Sequence, residues 1–291
     1  MRPPSALLER LTTSRLLPAF AQPSVGTGER RSRRKGPGME FIDHRPYQTG
    51  DDTRHLDPHL YARTGEFVVR EYSLNQQLPV TIVLDLSGSM AAGQGEKRER
   101  AKLVAQLLGF AALAGGDRIQ VVVPEQAGNK FSPRWHGAAR ADLMFDWIAK
   151  EADAGRSDFQ DALRTLRRDL PSHGLVIAIS DWWDGDVSPV LDILFSAGHE
   201  ILAVQILTPQ EIDPAGTETG IVTMEDAETG EELELAIDAG LLSRYRKLFA
   251  ARQEEMRGLF NSKHWHFVTV STDDDISQLF TRTLRAQGVL S

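Results

Sequence analysis

Hydrophobic residues follow two different rhythms along this chain. From residue 79 onward, short unbroken apolar runs alternate with stretches in which apolar side chains recur every three or four positions. The unbroken runs predict five strands, at residues 80–85, 118–123, 175–180, 200–207 and 265–270. Each is apolar enough to be buried on both faces of a sheet. Between them lie helical patterns, clearest in EKRERAKLVAQLLGFAALA, where Leu103, Leu107, Phe110 and Ala114 recur at helical spacing. Further helices are predicted over Asp142–Lys150, DFQDALRTLRRDL, Pro189–Ala197, Leu241–Phe260 and Ile276–Arg285. Strands alternating with helices imply a mostly parallel sheet with helices on both faces. One segment breaks the alternation. In GIVTMEDAETGEELELAI, two extended pieces flank Glu228-Thr229-Gly230, with the glycine suited to a positive φ. This predicts a β-hairpin inserted at about residues 218–238.

Upstream of residue 79 the rhythm is lost. Residues 1–25 read as a helix and a proline-containing linker. Residues 26–78 are rich in glycine, charge and histidine, with short extended pieces such as EFVVREY, and read as irregular β structure. The expected organisation is therefore 1–25, 26–78 and an α/β domain over 79–291.

Composition narrows the classes of function. With 41% hydrophobic and 25% charged residues in 291, the chain is an ordinary globular protein. It has no cysteine, which excludes disulfides, thiolate nucleophiles and zinc–thiolate sites, and fits a reducing cytoplasm. No apolar run reaches the ~18–20 residues of a membrane helix. The start, MRPPSALLERLTTSRLLPAF, carries charges within its apolar stretch, unlike a secretory signal. A cytoplasmic protein without stable membrane insertion is expected. The net charge of −8 argues against nucleic acid as the main partner.

The chemistry concentrates where strands end. PVTIVLDLSGSM runs from an apolar strand into Asp85, Ser87 and Ser89, three oxygen side chains at alternate positions. Ser157 lies in the loop before DFQDALRTL, and Asp181 directly follows GLVIAIS. In open α/β sheets, ligands bind beyond the carboxyl ends of the strands. Hydroxyl and carboxylate oxygens without histidine or cysteine suit a hard dication, Mg²⁺ first, with Mn²⁺ or Ca²⁺ as variants. Asp and Ser after a strand also cap the following helix, and that simpler explanation stands beside the first. Trp182 and Trp183 follow Asp181. They are either packing residues or a binding hot spot beside the metal, and at least one indole should be partly exposed.

DLSGSM after an apolar strand resembles the DxSxS motif of von Willebrand factor A domains, whose metal-ion-dependent adhesion site adds a Thr from a second loop and an Asp from a third. Asp85, Ser87 and Ser89 match the first loop, Asp181 the third, and Ser157 stands where that Thr is usual. The block from residue 29 to 72 resembles the N-terminal signature of the bacterial DUF58 family, roughly R-x-Y-x-P-G-D-D-x-R-x-I-D-W-x-x-x-A-R. Arg45, Tyr47, Gly50, Asp51, Asp52, Arg54, Asp57, Ala62 and Arg63 match it, while Thr49, Leu56 and Pro58 depart from it. The hairpin also resembles that family's D-x-E-T-G-E segment. The resemblance spans about residues 26–290. It implies a von Willebrand factor A-like (Rossmann-like) fold, a β-rich N-terminal segment, and a non-enzymatic, metal-dependent interaction module. The partners implied are a MoxR-type AAA+ ATPase and a client protein donating an Asp or Glu to the metal. Chaperone-like assembly or cofactor or metal insertion into a client complex, dehydrogenase maturation being one instance, is the process the resemblance implies. Arg45, Tyr47, Asp51, Asp52 and Arg54, with Trp182 and Trp183, are the candidate partner-facing residues.

Competing functions leave weaker traces. A Mg²⁺-dependent phosphatase or other hydrolase would use Asp85, but the position two residues on, where a second carboxylate would act as general acid, is Ser87. G-x-S-x-G and G-K-[ST] are both lacking around Ser87, Ser89 and GQGEKRER. The basic run at residues 30–35 offers a nucleic-acid reading, but no aromatics are interleaved with it. The histidines at 44, 55 and 59 with Asp51, Asp52 and Asp57 lack the spacing of a helical or zinc-module metal site. An ion-pair network with Arg45, Arg54 and Arg63 is the expected arrangement there.

Overall fold

A computed structural model describes residues 2–18, 39–48, 53, 56–74, 77–91, 95–151, 158–171, 173–183, 185–214, 220–225 and 232–291. The chain divides into two compact units, Phe20–Gln77 and Met1–Ala19 with Leu78–Ser291.

In the smaller unit, strands β1 (Met39–Pro46) and β2 (Val68–Leu74) pair antiparallel, with an irregularity between Phe41 and Asp43. Helix α2 (Pro58–Thr64) lies between them in sequence. Asp57 caps it, its Oδ1 accepting the backbone N–H groups of His59 and Leu60, and Pro58 sits at the first turn where a missing N–H does no harm. Gly65 ends it in the left-handed conformation. EFVVREY thus supplies a strand, as its pattern predicted.

The larger unit opens with helix α1 (Ser5–Leu11), whose Leu7 and Leu11 are buried. Its sheet is built from β3 (Pro79–Leu84), β4 (Arg118–Glu125), β5 (Gly128–Phe131), β6 (Trp135–His136), β7 (Leu175–Ser180), β8 (Glu200–Leu207) and β11 (His266–Ser271). The order is β11-β8-β7-β3-β4-β5, with β6 also on β4. All five predicted strands are present and pair in parallel, while β5 and β6 run antiparallel along β4. The mostly parallel, helix-covered sheet expected of a von Willebrand factor A-like domain is therefore observed.

Alternate residues of each strand feed two apolar layers, as the pleat requires. Val80, Ile82 and Leu84 face one layer with α1, α3 (Glu96–Ala114) and α4 (Ala141–Lys150). Val83, Val176 and Ala178 face the other with α5 (Phe159–Leu166), α6 (Ser188–Ser196) and the end of α8 (Ala239–Asn261). The predicted stripe of α3 understates its burial, because residues from Ala101 to Leu113 are buried almost all round. The polar excursion contains α7 (Pro209–Ile212) and a hairpin of β9 (Gly220–Glu225) with β10 (Glu232–Ile237). The predicted C-terminal helix is broken, consisting of α9 (Ile276–Gln278), a π-helical turn over Leu279–Thr283 and α10 (Leu284–Ala286). Among the described residues no helix is long and apolar enough to cross a membrane.

Close approach of β7 to β3 depends on Gly174. A Cβ there would lie 2.8 Å from the backbone carbonyl oxygen of Pro79, which has no side-chain freedom to yield. Gly174→Ala is expected to destabilise the domain by about 1–3 kcal/mol, measured by urea denaturation. A wild-type midpoint would show that the strands separate at no cost.

Candidate metal centre

The centre of the sheet is its switch point. From β3 the chain crosses through α3 to β4 on one side, whereas β7 lies on the other. The connections diverge at the carboxyl ends of β3 and β7, the kind of position at which open α/β sheets take ligands. Asp85 leaves the first strand there and Asp181 the second.

Alternation shapes the first loop. Leu86 and Met90 are wholly buried, so the segment is anchored in the core at both ends. Between them Ser87, Gly88 and Ser89 form a tight turn that leads into a 3₁₀ turn over Ser89–Ala91, with Met90 N–H donating to the Ser87 carbonyl. Arg98 from α3 donates to the same carbonyl at 2.6 Å. The hydroxyl oxygens of Ser87 and Ser89 stand 3.2 Å apart. Neighbouring oxygens around Mg²⁺, each at about 2.1 Å, lie about 3.0 Å from one another. The serine pair therefore fits two adjacent positions on such an ion.

Asp85 is 2% exposed. Its Oδ1 accepts the Ser87 N–H at 2.9 Å and its Oδ2 the Ser180 hydroxyl at 2.6 Å. Burial pushes its pKa up to about 6 from 3.8, those hydrogen bonds oppose the rise, and the charge of Asp181 adds to it. Asp181 is 3% exposed. Its Oδ1 accepts the Trp183 N–H at 3.3 Å, and its carbonyl accepts the Gln205 side-chain amide at 2.8 Å. Its Oδ2 accepts from the ammonium of Lys97 at 3.0 Å, and that ammonium also meets Glu211 Oε1 at 2.8 Å. Two aspartates and a glutamate against the Lys97 ammonium and the Arg98 guanidinium leave a formal excess of one negative charge, so a dication would leave the centre one positive charge in excess. The oxygen donor set fits a hard divalent cation, and one further carboxylate would balance its charge.

The structure thus brings Asp85, Ser87, Ser89 and Asp181 to one place. Ser157 lies outside the described residues, although the next residue, Asp158, caps α5 by accepting the Asp161 N–H. The tryptophans divide. Trp182 is buried, holds a left-handed φ of 58°, and donates its indole N–H to the Val204 carbonyl at 3.2 Å. Trp183 is 37% exposed and packs on Phe249 of α8. Packing accounts for the first, and only the second presents a surface.

In the smaller unit, the Arg45 guanidinium donates to the Pro46 carbonyl at 3.2 Å, and Tyr47 meets Phe67 ring to ring. His44 and Asp57 pair at 2.9 Å. Asp51, Asp52, Arg54 and His55 lie outside the described residues, as does the basic run 30–35. Among the described residues no group of three or more His, Cys, Asp or Glu could hold a metal ion. Ser180, Lys97, Arg98 and Glu211 were missed by sequence reasoning. Of these only Glu211 left a signal, the Thr208-Pro-Gln-Glu211 capping box that begins α7.

Comparison with known proteins gives a match to one family model, "Protein of unknown function DUF58", over residues 43–257. An uncharacterized protein of Mycobacterium bovis is 30% identical over 246 residues, covering 82% of this chain and 77% of its own. Among solved structures, the conserved hypothetical protein BatB from Bacteroides thetaiotaomicron is 13% identical with a TM-score of 0.42, covering 72% of this chain and 98% of that one. The VWA domain of SpRpn10 is 8% identical with a TM-score of 0.40, covering 69% of this chain and 92% of that one.

Proposed function

The chain belongs to the DUF58 family, and from that premise we propose that it is a protein-interaction module whose binding point is the metal centre at the β3–β7 switch point. Ser87 and Ser89, joined by Ser157, would hold Mg²⁺, or Mn²⁺ or Ca²⁺, and Asp85 and Asp181 would supply the negative charge around it. When bound, the ion offers a Lewis-acidic position to an Asp or Glu side chain of a partner. The chain's own residues do the rest. Leu86 and Met90 pin the serine turn to the core, and Arg98 fixes its carbonyl. Ser180 orients Asp85. Trp183 presents an exposed indole next to Asp181, the kind of aromatic anchor that binding surfaces favour.

The observation that carries this proposal is the 3.2 Å spacing of two serine hydroxyls beside two buried carboxylates. A helix cap does not account for it, since the N-terminus of α3 at Gly95 receives no side-chain cap. The partner class we propose, on the family resemblance, is a MoxR-type AAA+ ATPase with an acidic client, acting in chaperone-like assembly or cofactor insertion.

Titration calorimetry with Mn²⁺ tests the centre directly. Wild-type protein should bind one ion, and Ser87→Ala/Ser89→Ala should lose that heat while keeping the wild-type circular dichroism. Co-elution with a MoxR-type ATPase should require Mg²⁺ and vanish in EDTA. A wild-type chain that binds no divalent ion would overturn the metal centre, and co-elution undiminished by EDTA would overturn its role in the partnership.

A further inference from the structure

Lys97 is wholly buried, and is the one charged residue among the largest such side chains of the described residues. It occupies the second position of α3, near the helix N-terminus, where the aligned peptide dipoles already create positive potential. An ammonium there is disfavoured both by the dipole and by dehydration. Two carboxylates from distant parts of the chain offset this, Asp181 at 3.0 Å and Glu211 at 2.8 Å. Neither is free to turn away. The second oxygen of Glu211 accepts the N–H and hydroxyl of Thr208 at 2.7 and 3.1 Å, and its carbonyl accepts the Tyr245 hydroxyl from α8. Asp181 is fixed by the Trp183 N–H and, through its carbonyl, by Gln205. Gln205 is itself held by Gln253 at 2.7 Å.

One oxygen of the third-loop carboxylate therefore already faces a cation supplied by the protein. We infer that Lys97 is the built-in counter-ion of this centre: it holds Asp181 and the loop after β7 in place without a metal, and it weakens the hold of the centre on a free dication. The first half follows from burial. Without the ammonium, the buried Asp181 and the quarter-exposed Glu211 face each other with no positive charge between them. The second half rests on the metal centre proposed above. An ammonium bonded to Asp181 competes for that carboxylate and repels a dication beside it. An acidic partner would restore the balance, so the ion is held tightly only in the complex. The geometry thus assigns Lys97 a positioning role that makes capture conditional on the partner's carboxylate.

Four proteins test this: wild type, Lys97→Met, Glu211→Gln and Lys97→Met/Glu211→Gln. In EDTA, Lys97→Met should melt about 10 °C below wild type, as expected for an unpaired buried charge in a domain of this size. The double variant should recover part of that loss, because it removes one of the two opposed carboxylates. Glu211→Gln and the double variant differ only by the ammonium, and calorimetry should show Mn²⁺ bound at least about tenfold more tightly by the double variant, a factor that corresponds to about 1.4 kcal/mol. This comparison decides the matter even where Lys97→Met alone does not fold. Wild-type melting of Lys97→Met in EDTA, or equal Mn²⁺ affinity with and without the ammonium, overturns the inference and leaves the metal centre standing. Absence of Mn²⁺ binding in all four proteins overturns the metal centre and the second half with it, while the melting series still decides whether Lys97 holds Asp181.

Discussion

Trp182→Ala should lower the stability of the α/β unit by about 3–5 kcal/mol, as expected for the loss of a large buried aromatic. Its indole is 3% exposed and meets Phe159 and Phe260 edge to face, with ring centres 5.5 and 5.6 Å apart. Those rings come from α5 and α8, so one side chain joins two helices beneath the sheet. Deletion leaves a cavity that backbone held in strands cannot fill. It also removes the hydrogen bond that the indole N–H donates to the Val204 carbonyl. Trp182→Phe should fall between, at about 1–2 kcal/mol, since it keeps most of the apolar contact and loses the hydrogen bond. Trp183→Ala, at a partly exposed position, should cost less than about 1 kcal/mol. Chemical denaturation monitored on all three variants checks the order. A Trp182→Ala protein as stable as Trp183→Ala would mean that the aromatic cluster adds nothing to the fold.

That asymmetry was half visible in the sequence. Two adjacent tryptophans after a strand end must point different ways, but which one is buried depends on the left-handed turn at Trp182, and no local residue announces it. The same division runs through the whole fold. Five parallel strands were legible because burial on both faces demands unbroken apolar runs. Strands β5 and β6 were not, since GNKF and WH lie at the sheet margin where no such demand exists. The oxygens of the first loop of the proposed metal centre were legible in Asp85-Leu86-Ser87-Gly88-Ser89, because one short segment carries them. Lys97 was not. EKRERAK reads as a solvated first turn, and the reason to bury one of its lysines lies 84 and 114 residues away. Ser180 likewise passes for the end of an apolar strand until β3 is laid beside β7. Local periodicity reports which face is buried, whereas a charge satisfied across the fold becomes visible only when the elements meet.

Asp85→Asn should separate function from stability at the centre. The wild-type carboxylate sits in a dry site with its pKa raised to about 6 from 3.8, so above pH 6 its ionised form costs folding free energy. The full difference amounts to about 3 kcal/mol, part of which is lost again because the amide must satisfy a new donor. Asparagine keeps an acceptor for the Ser87 N–H, and the Ser180 hydroxyl can turn to accept from the amide nitrogen. The variant is therefore expected to be as stable as wild type or more so, by up to about 2 kcal/mol, in EDTA at pH 7.5. Mn²⁺ binding should fall by at least about tenfold, since one of the charges balancing the ion is gone. A residue that lowers stability where it stands, yet is needed for the ion, marks a site built for binding, because nothing in packing alone would keep it. The result that sinks this is a marked loss of stability with Mn²⁺ affinity intact. Asp85 would then be a structural hydrogen-bond acceptor joining β3 to β7, and the ion would owe its binding to the serines and Asp181.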